Sequence, residues 1–319
     1  MPLLEVENLH VEINGNSILR GVNLTVDSGE TLGIVGESGC GKSMTGLAIM
    51  GMLPPGGKIT QGTIKLADRD ITHLPPKEWQ KIRGQEIGLV MQDPFTSLNP
   101  LMRVGDQIAE VLRLHKNTPK QEALDQAIEM LRTVGVPSPE ATARKYPHQM
   151  SGGQRQRVVI AIAFIARPKL LIADEPTTAL DVTLQAQILR LLEQLQKEEG
   201  TAVALISHDI GVIGSVSDRV SVFYAGRVVE SGNVRDVLKH GQHPYTQALL
   251  EAIPIPGRDR LQTISGQPPL LSDLPKGCPF APRCPKKFEP CTEEPPAFQT
   301  KSTAVACWLA ESKTTQPIG

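Results

Sequence analysis

An α/β fold followed by a small irregular C-terminal module is what this sequence predicts, and three observations carry the prediction. A buried apolar strand, Thr31-Leu32-Gly33-Ile34-Val35, runs directly into a glycine-rich loop and then a helix. Further apolar runs of strand length, at 87–92, 170–174, 203–207 and 220–224, alternate with longer segments of helical periodicity. Beyond about residue 253 that order ends. Twelve of the 26 prolines lie in 251–319, where neither a regular helix nor a central strand can form.

The elements follow in order. Leu9, Val11 and Ile13 alternate along a strand over 3–13, and Val22, Leu24 and Val26 along a second over 22–28, with Asn14-Gly15-Asn16 as a turn signal. Met44 to Gly51 opens the helix after the glycine-rich loop, and Pro54-Pro55-Gly56-Gly57 stops it. Residues 60–72 suggest another strand pair. Within 104–135, Val104, Ile108, Val111 and Leu112 form one apolar stripe and Leu124, Ile128 and Leu131 another; both read as core faces. Pro137, Pro139 and Pro147 interrupt the pattern before a helix over 152–166. Val182 to Gln196 reads as a long helix ended by Gly200, and Gly232 to Leu238 leads into a last helix at about 243–252. The proline-rich stretch is then either a loose tail or a small module held by something other than a core.

Composition narrows the function classes. The chain of 319 residues can hold one large domain plus an appendage. With 33 basic and 34 acidic residues it offers no general electrostatic case for nucleic acid, and 3% aromatics argue against a base-stacking platform. No run of 18 apolar residues occurs, so no membrane span is expected. Met1-Pro2-Leu3-Leu4-Glu5 lacks the pattern of an export signal, so a cytosolic site is expected. Of five cysteines, Cys40 lies in the glycine-rich loop; Cys278, Cys284, Cys291 and Cys307 all fall near the C-terminus. In a reducing cytosol that grouping points to metal more than to disulfides.

Three motifs carry chemistry. Gly36-Glu37-Ser38-Gly39-Cys40-Gly41-Lys42-Ser43 fits the pattern G-x-x-x-x-G-K-S/T. In such a loop backbone N–H groups cradle phosphate oxygens, the lysine adds a point charge and the serine hydroxyl reaches Mg²⁺. The helix that opens at Met44 favours anions at its N-terminus. Leu170 to Glu175 is an apolar strand ending in two carboxylates. Asp174 suits a Mg²⁺ partner, and Glu175 stands where a base for an attacking water would sit. Alone, such a run is commonly a strand end meeting solvent. Ser151-Gly152-Gly153-Gln154 precedes an apolar helix, either as a loop whose glycines approach a phosphate or as a cap with Ser151 at the N-cap.

Together these residues resemble the ATP-binding-cassette (ABC) ATPase family over residues 3 to about 250. Gly36 to Ser43 is similar to its Walker A loop, and Gln92 stands at the Q-loop glutamine. Met150 to Gln154 is similar to the LSGGQ signature, with Met150 in place of leucine. Asp174 and Glu175 match Walker B, Ala179-Leu180-Asp181 the D-loop, and His208 the switch histidine. The resemblance implies a RecA-like P-loop core with an antiparallel β subdomain and an α-helical signature subdomain at about 97–155. These make a nucleotide-binding domain over 1–252, followed by a Cys-rich extension over 253–319. It implies that ATP is held by Gly36, Ser38, Gly39, Cys40, Gly41, Lys42, Ser43 and Met44. Mg²⁺ falls to Ser43, Gln92 and Asp174, and catalysis to Glu175, His208 and Gln92. Two domains meet head to tail, so Ser151, Gly153 and Gln154 of one complete the site of the other. The family's adenine-stacking aromatic is replaced here by Ile13, with no Tyr, Phe or Trp nearby, which leaves base selectivity open.

Gln92 to Pro100, Pro176 to Thr183 and His243 to Leu250 are similar to the oligopeptide, dipeptide and nickel importers of that family. So is Gly277-Cys278-Pro279-Phe280-Ala281-Pro282-Arg283-Cys284-Pro285. The branch implies an ATPase at the cytoplasmic face of the cell membrane, peripheral to two transmembrane permease subunits. A second homologous ATPase makes a heterodimer with it, and an extracytoplasmic solute-binding protein serves the complex. Di- or oligopeptides lead as cargo; nickel chelates and other solutes remain open. A soluble ABC protein acting on nucleic acid or ribosomes is the rival class, and the single cassette and near-neutral charge speak against it. Zinc ribbons usually show C-x₂-C pairs, and this chain has none. The irregular spacing of the four cysteines suits a 4Fe-4S cluster, with zinc and unligated thiols as alternatives.

Overall fold

The computed structural model describes residues 1–178, 180–253, 264–300 and 302–313. Ala179 of the expected D-loop, the junction at 254–263 and the last residues, 314–319, lie outside the described residues. The chain begins with β1 (Leu4–Ile13), β2 (Asn16–Val26), β3 (Thr31–Val35), α1 (Lys42–Ile49), β4 (Gly57–Leu66) and β5 (Arg69–Asp70). Then come α2 (Pro76–Ile82), β6 (Ile87–Val90), α3 (Pro94–Ser97), α4 (Val104–Lys116), α5 (Lys120–Thr133), α6 (Pro139–Ala143) and α7 (Gly152–Phe164). They are followed by β7 (Leu170–Asp174), α8 (Val182–Glu199), β8 (Ala202–Ser207), α9 (Ile210–Val216), β9 (Arg219–Tyr224) and β10 (Arg227–Asn233). After these come α10 (Val234–His240), α11 (Pro244–Glu251), β11 (Phe298–Gln299) and β12 (Thr303–Val305), with a 3₁₀ turn at Trp308–Lys313. Two compact units divide these elements. One, the helical unit, takes Met1, Asp27–Glu30 and His73–Ala204; the other, the loop unit, takes Pro2–Val26, Thr31–Thr72 and Leu205–Gly319.

In the loop unit β2, β1, β4 and β5 form an antiparallel sheet in that order. Asn14 (φ 50°) and Gly15 (φ 83°) make the hairpin turn with both residues in the left-handed region, the geometry that matches strand twist. The second strand starts at Asn16, well before the expected residue 22. The pairing of β1 with β2 shifts register at Val6/Leu9 and again beyond it, and Gly21 sits at φ 76°. Such bulges break period-2 alternation, so only the half after Gly21 reads as a strand. A second set of strands in this unit is built on β3, paired in parallel with β9 from Leu32↔Arg219 to Val35↔Val222. β10 then pairs antiparallel with β9, β12 with β10, and β11 with β12.

The sequence pattern did not mark β10, because RVVESGN has only Val229 and Glu230 buried and carries the residues of a turn. Nor did it mark the seven-residue helices α2, α9 and α10, which are too short to show a helical period. Residues 264–300 and 302–313 form a folded module rather than a loose tail. β12 extends the strand set, and a small apolar cluster of Phe298, Val305, Cys307 and Ala310, with Trp308 and Leu309 against it, gives the module a core that its composition did not suggest.

In the helical unit β6 and β7 pair in parallel, from Ile87↔Leu170 to Val90↔Ala173. Val104, Ile108 and Leu112 of α4 are buried as the stripe predicts. On α5 the fully buried face is Ala123, Ala127 and Leu131, while the expected Leu124 and Ile128 flank it half-buried. Strand β6 passes so close to α7 that a Cβ on Gly88 would lie 2.7 Å from the Ala163 carbonyl oxygen and 3.1 Å from Leu171 Cδ1. Gly88→Ala should therefore cost about 1–3 kcal/mol by overpacking. Urea unfolding of the two chains measures it, and an unchanged midpoint would mean the strand can shift away freely.

Candidate functional site

The loop unit holds the glycine-rich loop between β3 and α1. A Cβ on Gly36 would meet the Phe223 carbonyl oxygen at 2.3 Å and Cys40 Sγ at 2.8 Å, so no other residue fits. Gly41, the N-cap of α1, adopts φ 107°, a conformation that strains any side chain. Lys42 is only 4% exposed. Its Nζ donates to the carbonyls of Gly36 (2.7 Å) and Glu37 (3.0 Å), which ties the ammonium to the start of the loop. The loop is braced from behind: the Gly226 N–H donates to the Cys40 carbonyl (2.9 Å), and the Arg20 N–H to that of Gly226 (2.9 Å). Ser38, Gly39 and Ser43 face solvent, with Met44 half-buried. These are the positions an approaching phosphate would meet. His208, directly after β8, is exposed in the same unit, and Ile13 closes β1.

Two residues that sequence reasoning did not single out hold Glu37. Its N–H donates to the Tyr245 hydroxyl oxygen (2.9 Å), and its carboxylate takes both terminal nitrogens of Arg283 (2.7 and 2.9 Å). Tyr245 and Arg283 stand inside His243–Leu250 and the Gly277–Pro285 pattern, so the signal was present but read only as a family mark.

The helical unit brings three side chains together at the end of β7. Glu175 accepts on Oε2 from Gln92 Nε2 (3.1 Å) and from Thr178 Oγ1 (2.7 Å). Its backbone sits at φ 46°, an uncommon region for a non-glycine residue and one that concentrates at functional sites. Asp174 is the last residue of the strand, half-buried. Thr178 is a partner the sequence reading did not assign. Ser151 caps α7 in a full capping box: its Oγ accepts from the Gln154 N–H (3.3 Å) and Gln154 Oε1 from the Ser151 N–H (3.2 Å). Gly153 lies against Leu184, the third residue of α8, whose N-cap Asp181 accepts from the Thr183 and Leu184 N–H groups. The Arg155 guanidinium lies over the Phe95 ring at 4.1 Å, which ties α7 to the segment after Gln92.

Cys278, Cys284, Cys291 and Cys307 line one pocket of the module, walled by Phe280, Phe288 and Trp308. None is in a disulfide. Burial pushes the Cys278 and Cys284 thiols up and the Cys307 thiol to about 11, with the other three sulfurs adding to the last. Gly277 sets the approach. At φ 81° its Cβ position lies 2.4 Å from the Thr292 backbone, while the Cys278 N–H donates to the Cys291 carbonyl (3.1 Å).

These geometries, a phosphate loop with a carboxylate–glutamine pair, agree with comparison to known proteins. The ABC transporter family model matches residues 19–178, and the model for the oligopeptide/dipeptide transporter C-terminal region matches 229–291. The dipeptide transport ATP-binding protein DppD of Bacillus subtilis (strain 168) is 47% identical over 321 residues, covering 98% of this chain and 96% of that protein. The oligopeptide transport ATP-binding protein OppD of Salmonella typhimurium is 50% identical over 301 residues, covering 92% and 89%. Among solved structures, a dimeric post-hydrolysis state of the ATP-binding cassette MJ0796 bound to ADP and Pi has a TM-score of 0.65 at 30% identity. It covers 73% of this chain and 99% of that one. The chain belongs to the ABC transporter family of ATP-binding proteins and carries the C-terminal region of the oligopeptide/dipeptide transporters. The α/β P-loop fold expected from the sequence stands with it.

Burial pushes the Cys40 thiol above its ordinary value, the Lys42 charge opposing only in part. Less thiolate is then present at pH 7 to 8 than for a free cysteine, and thiolate is the nucleophile. N-ethylmaleimide should modify Cys40 slowly in the folded chain, faster as pH rises and at once in urea. Peptide mass mapping reads it. Rapid labelling of folded chain at pH 7 would contradict the buried loop.

Proposed function

We propose that this chain is the ATP-hydrolysing subunit powering uptake of di- or oligopeptides through a membrane permease. The observation that carries it is the fixed phosphate loop in a chain about half identical to OppD along nearly its whole length. Gly36 to Met44 bind the phosphates, with Lys42 supplying charge. Ser43, Asp174 and Gln92 would hold Mg²⁺, whose charge would offset that of the bound phosphates. Glu175 orients and polarises the lytic water. Both Gln92 Nε2 and Thr178 Oγ1 donate to its Oε2, which fixes the carboxylate's rotation. His208 contacts the γ-phosphate. Ser151, Gly153 and Gln154 complete the site of a second, homologous ATPase subunit, with which the chain forms a heterodimer. No helix among the described residues is long and apolar enough to cross a membrane. As the branch resemblance implies, transport falls to two permease subunits, on whose cytoplasmic face the chain sits, and capture of solute to an extracytoplasmic binding protein.

We infer that Cys278, Cys284, Cys291 and Cys307 hold a 4Fe-4S cluster, a reading supported by four thiols lining one pocket with apolar side chains beside them and no disulfide among them. Among the described residues no group of three or more His, Cys, Asp or Glu side chains is placed to hold a single metal ion. The cluster would supply a staple for a module with a small core. The domain reading is 1–252 for nucleotide binding, with the signature helices at about 97–155, and 253–319 for the extension.

Glu175→Gln should leave Mg-ATP binding intact and slow turnover of the assembled complex by about 10²–10⁴, the usual worth of a positioned base. Turnover near the original rate would remove Glu175 from that role. Chain purified without oxygen should be brown and hold about four irons, as a cubane on four thiolates requires. Cys284→Ser should bleach it and open the module to protease while ATP binding survives. One zinc per colourless chain would replace the cluster with the tetrathiolate site, and no metal at all would remove both.

A further inference from the structure

We propose that Arg283, reaching out of the cysteine-rich module, is a positioning residue of the phosphate loop, so that the module's folded state sets nucleotide affinity through the Arg283–Glu37 pair. The proposal rests on the reading of Gly36 to Ser43 as the ATP loop. Arg283 and Glu37 are 246 residues apart in the chain, yet the guanidinium grips the carboxylate with two nitrogens. The Arg283 side chain is 4% exposed and that of Glu37 23%, so this is no solvated surface bridge. Two parallel charge-assisted bonds fix distance and orientation together.

The guanidinium is itself held by the module. Arg283 Nε donates to the Ser265 carbonyl (2.9 Å), Nη1 also donates to the Tyr224 hydroxyl (3.3 Å), and the Arg283 N–H closes a turn onto Phe280 (2.9 Å). Its neighbour in sequence is Cys284, a wall of the cysteine pocket. A second route runs in parallel. The Tyr245 hydroxyl accepts the Glu37 N–H, and the Tyr245 ring packs against Tyr224 (4.5 Å between centroids) and the module's Phe280 (5.4 Å). Loop and module are thus one bonded network, and the coupling must be reciprocal.

Electrostatics gives the sign. Glu37 is a carboxylate on a loop whose ligand is a polyanion, and Arg283 neutralises it. Without the guanidinium the loop loses its restraint and keeps a partly buried, unpaired negative charge beside the phosphates. Both effects weaken nucleotide binding.

The test titrates the full chain with a fluorescent ATP analogue and Mg²⁺. Arg283→Ala should weaken binding about 5-fold or more, the range of a coupling between sites. Arg283→Ala combined with Glu37→Gln should bind more tightly than Arg283→Ala alone, since the stranded carboxylate is gone. A purely structural role for Arg283 inside the module would show no such rescue. Arg283→Lys, which keeps charge but not the fork, should fall between, and it serves where the alanine variant does not fold. Mg-ATP should also slow proteolysis of the module in the unaltered chain and not in Arg283→Ala. Unaltered affinity in both Arg283 variants, or strictly additive losses in the double variant, would overturn the proposal alone. No binding by the unaltered chain would overturn the reading of the loop itself, and this proposal with it.

Discussion

Everything around the nucleotide loop follows from one steric constraint, the contact between Gly36 and the backbone of β9. Because β3 and β9 pair in parallel with Val35 opposite Val222, the chain leaving β3 must turn against the Phe223 carbonyl with no room for a side chain. The turn brings the Gly36 and Glu37 carbonyls round to Lys42, and the ammonium, nearly out of solvent, is bonded rather than stranded. The same close approach lets the β9–β10 turn brace the loop at Cys40 and fixes where β10, and hence the next strand, must run.

The buried charges of the loop unit form a sequence of causes leading back to that loop. Glu230 on β10 has no exposure; its carboxylate accepts from the Gln242 N–H (2.9 Å) and the His243 N–H (3.0 Å). Burial pushes its pKa up, and these donors oppose the shift. They also place the start of α11. There His243, pushed down to about 3 by burial and so neutral, accepts the Tyr245 N–H on Nδ1 (3.0 Å) as the helix cap. Tyr245 is thereby aimed at Glu37. A carboxylate on β10, an imidazole cap and a phenol act in series to position one backbone amide of the phosphate loop. Glu294, which pairs with Arg227 (2.8 Å) and Arg20, ties the module to β10 and β2 beside it.

Much of this was legible in the chain because the constraint is local. Gly36 to Ser43, the strand before it and the carboxylates after β7 announce themselves by residue type and spacing. What was not legible depends on distant partners. Glu37 reads as filler inside the loop until Arg283 is beside it, and β10 reads as a turn until β9 and β12 supply its hydrogen bonds. The buried face of α5 is carried by alanines, whose small size suits close helix packing but gives a weak apolar signal next to Leu124 and Ile128. The first half of β2 was hidden by its bulge. In the module the cysteines and prolines dominate the composition, and the small apolar cluster around Phe298 escapes a count of large side chains.

The signature segment shows how two readings of one tetrapeptide can both hold. Ser151 and Gln154 are a capping box in this chain, so their side chains have a local task. Gly153 is explained by packing, since a Cβ there would press on Leu184 at 3.2 Å, and Leu184 is held in turn by the Asp181 cap of α8. Gly152 is different. A Cβ built on it meets nothing within 4 Å, and its backbone is helical, so neither packing nor conformation within this chain calls for glycine. Glycine gives up more backbone freedom on folding than alanine would, so its presence here carries a cost. What repays such a cost at an exposed helix N-terminus is close approach of the backbone to an anion from outside the chain, where a Cβ would stand in the way. The open backbone at Gly152 is therefore compatible with the proposal, drawn from the family resemblance, that Ser151 to Gln154 complete the site of a second subunit.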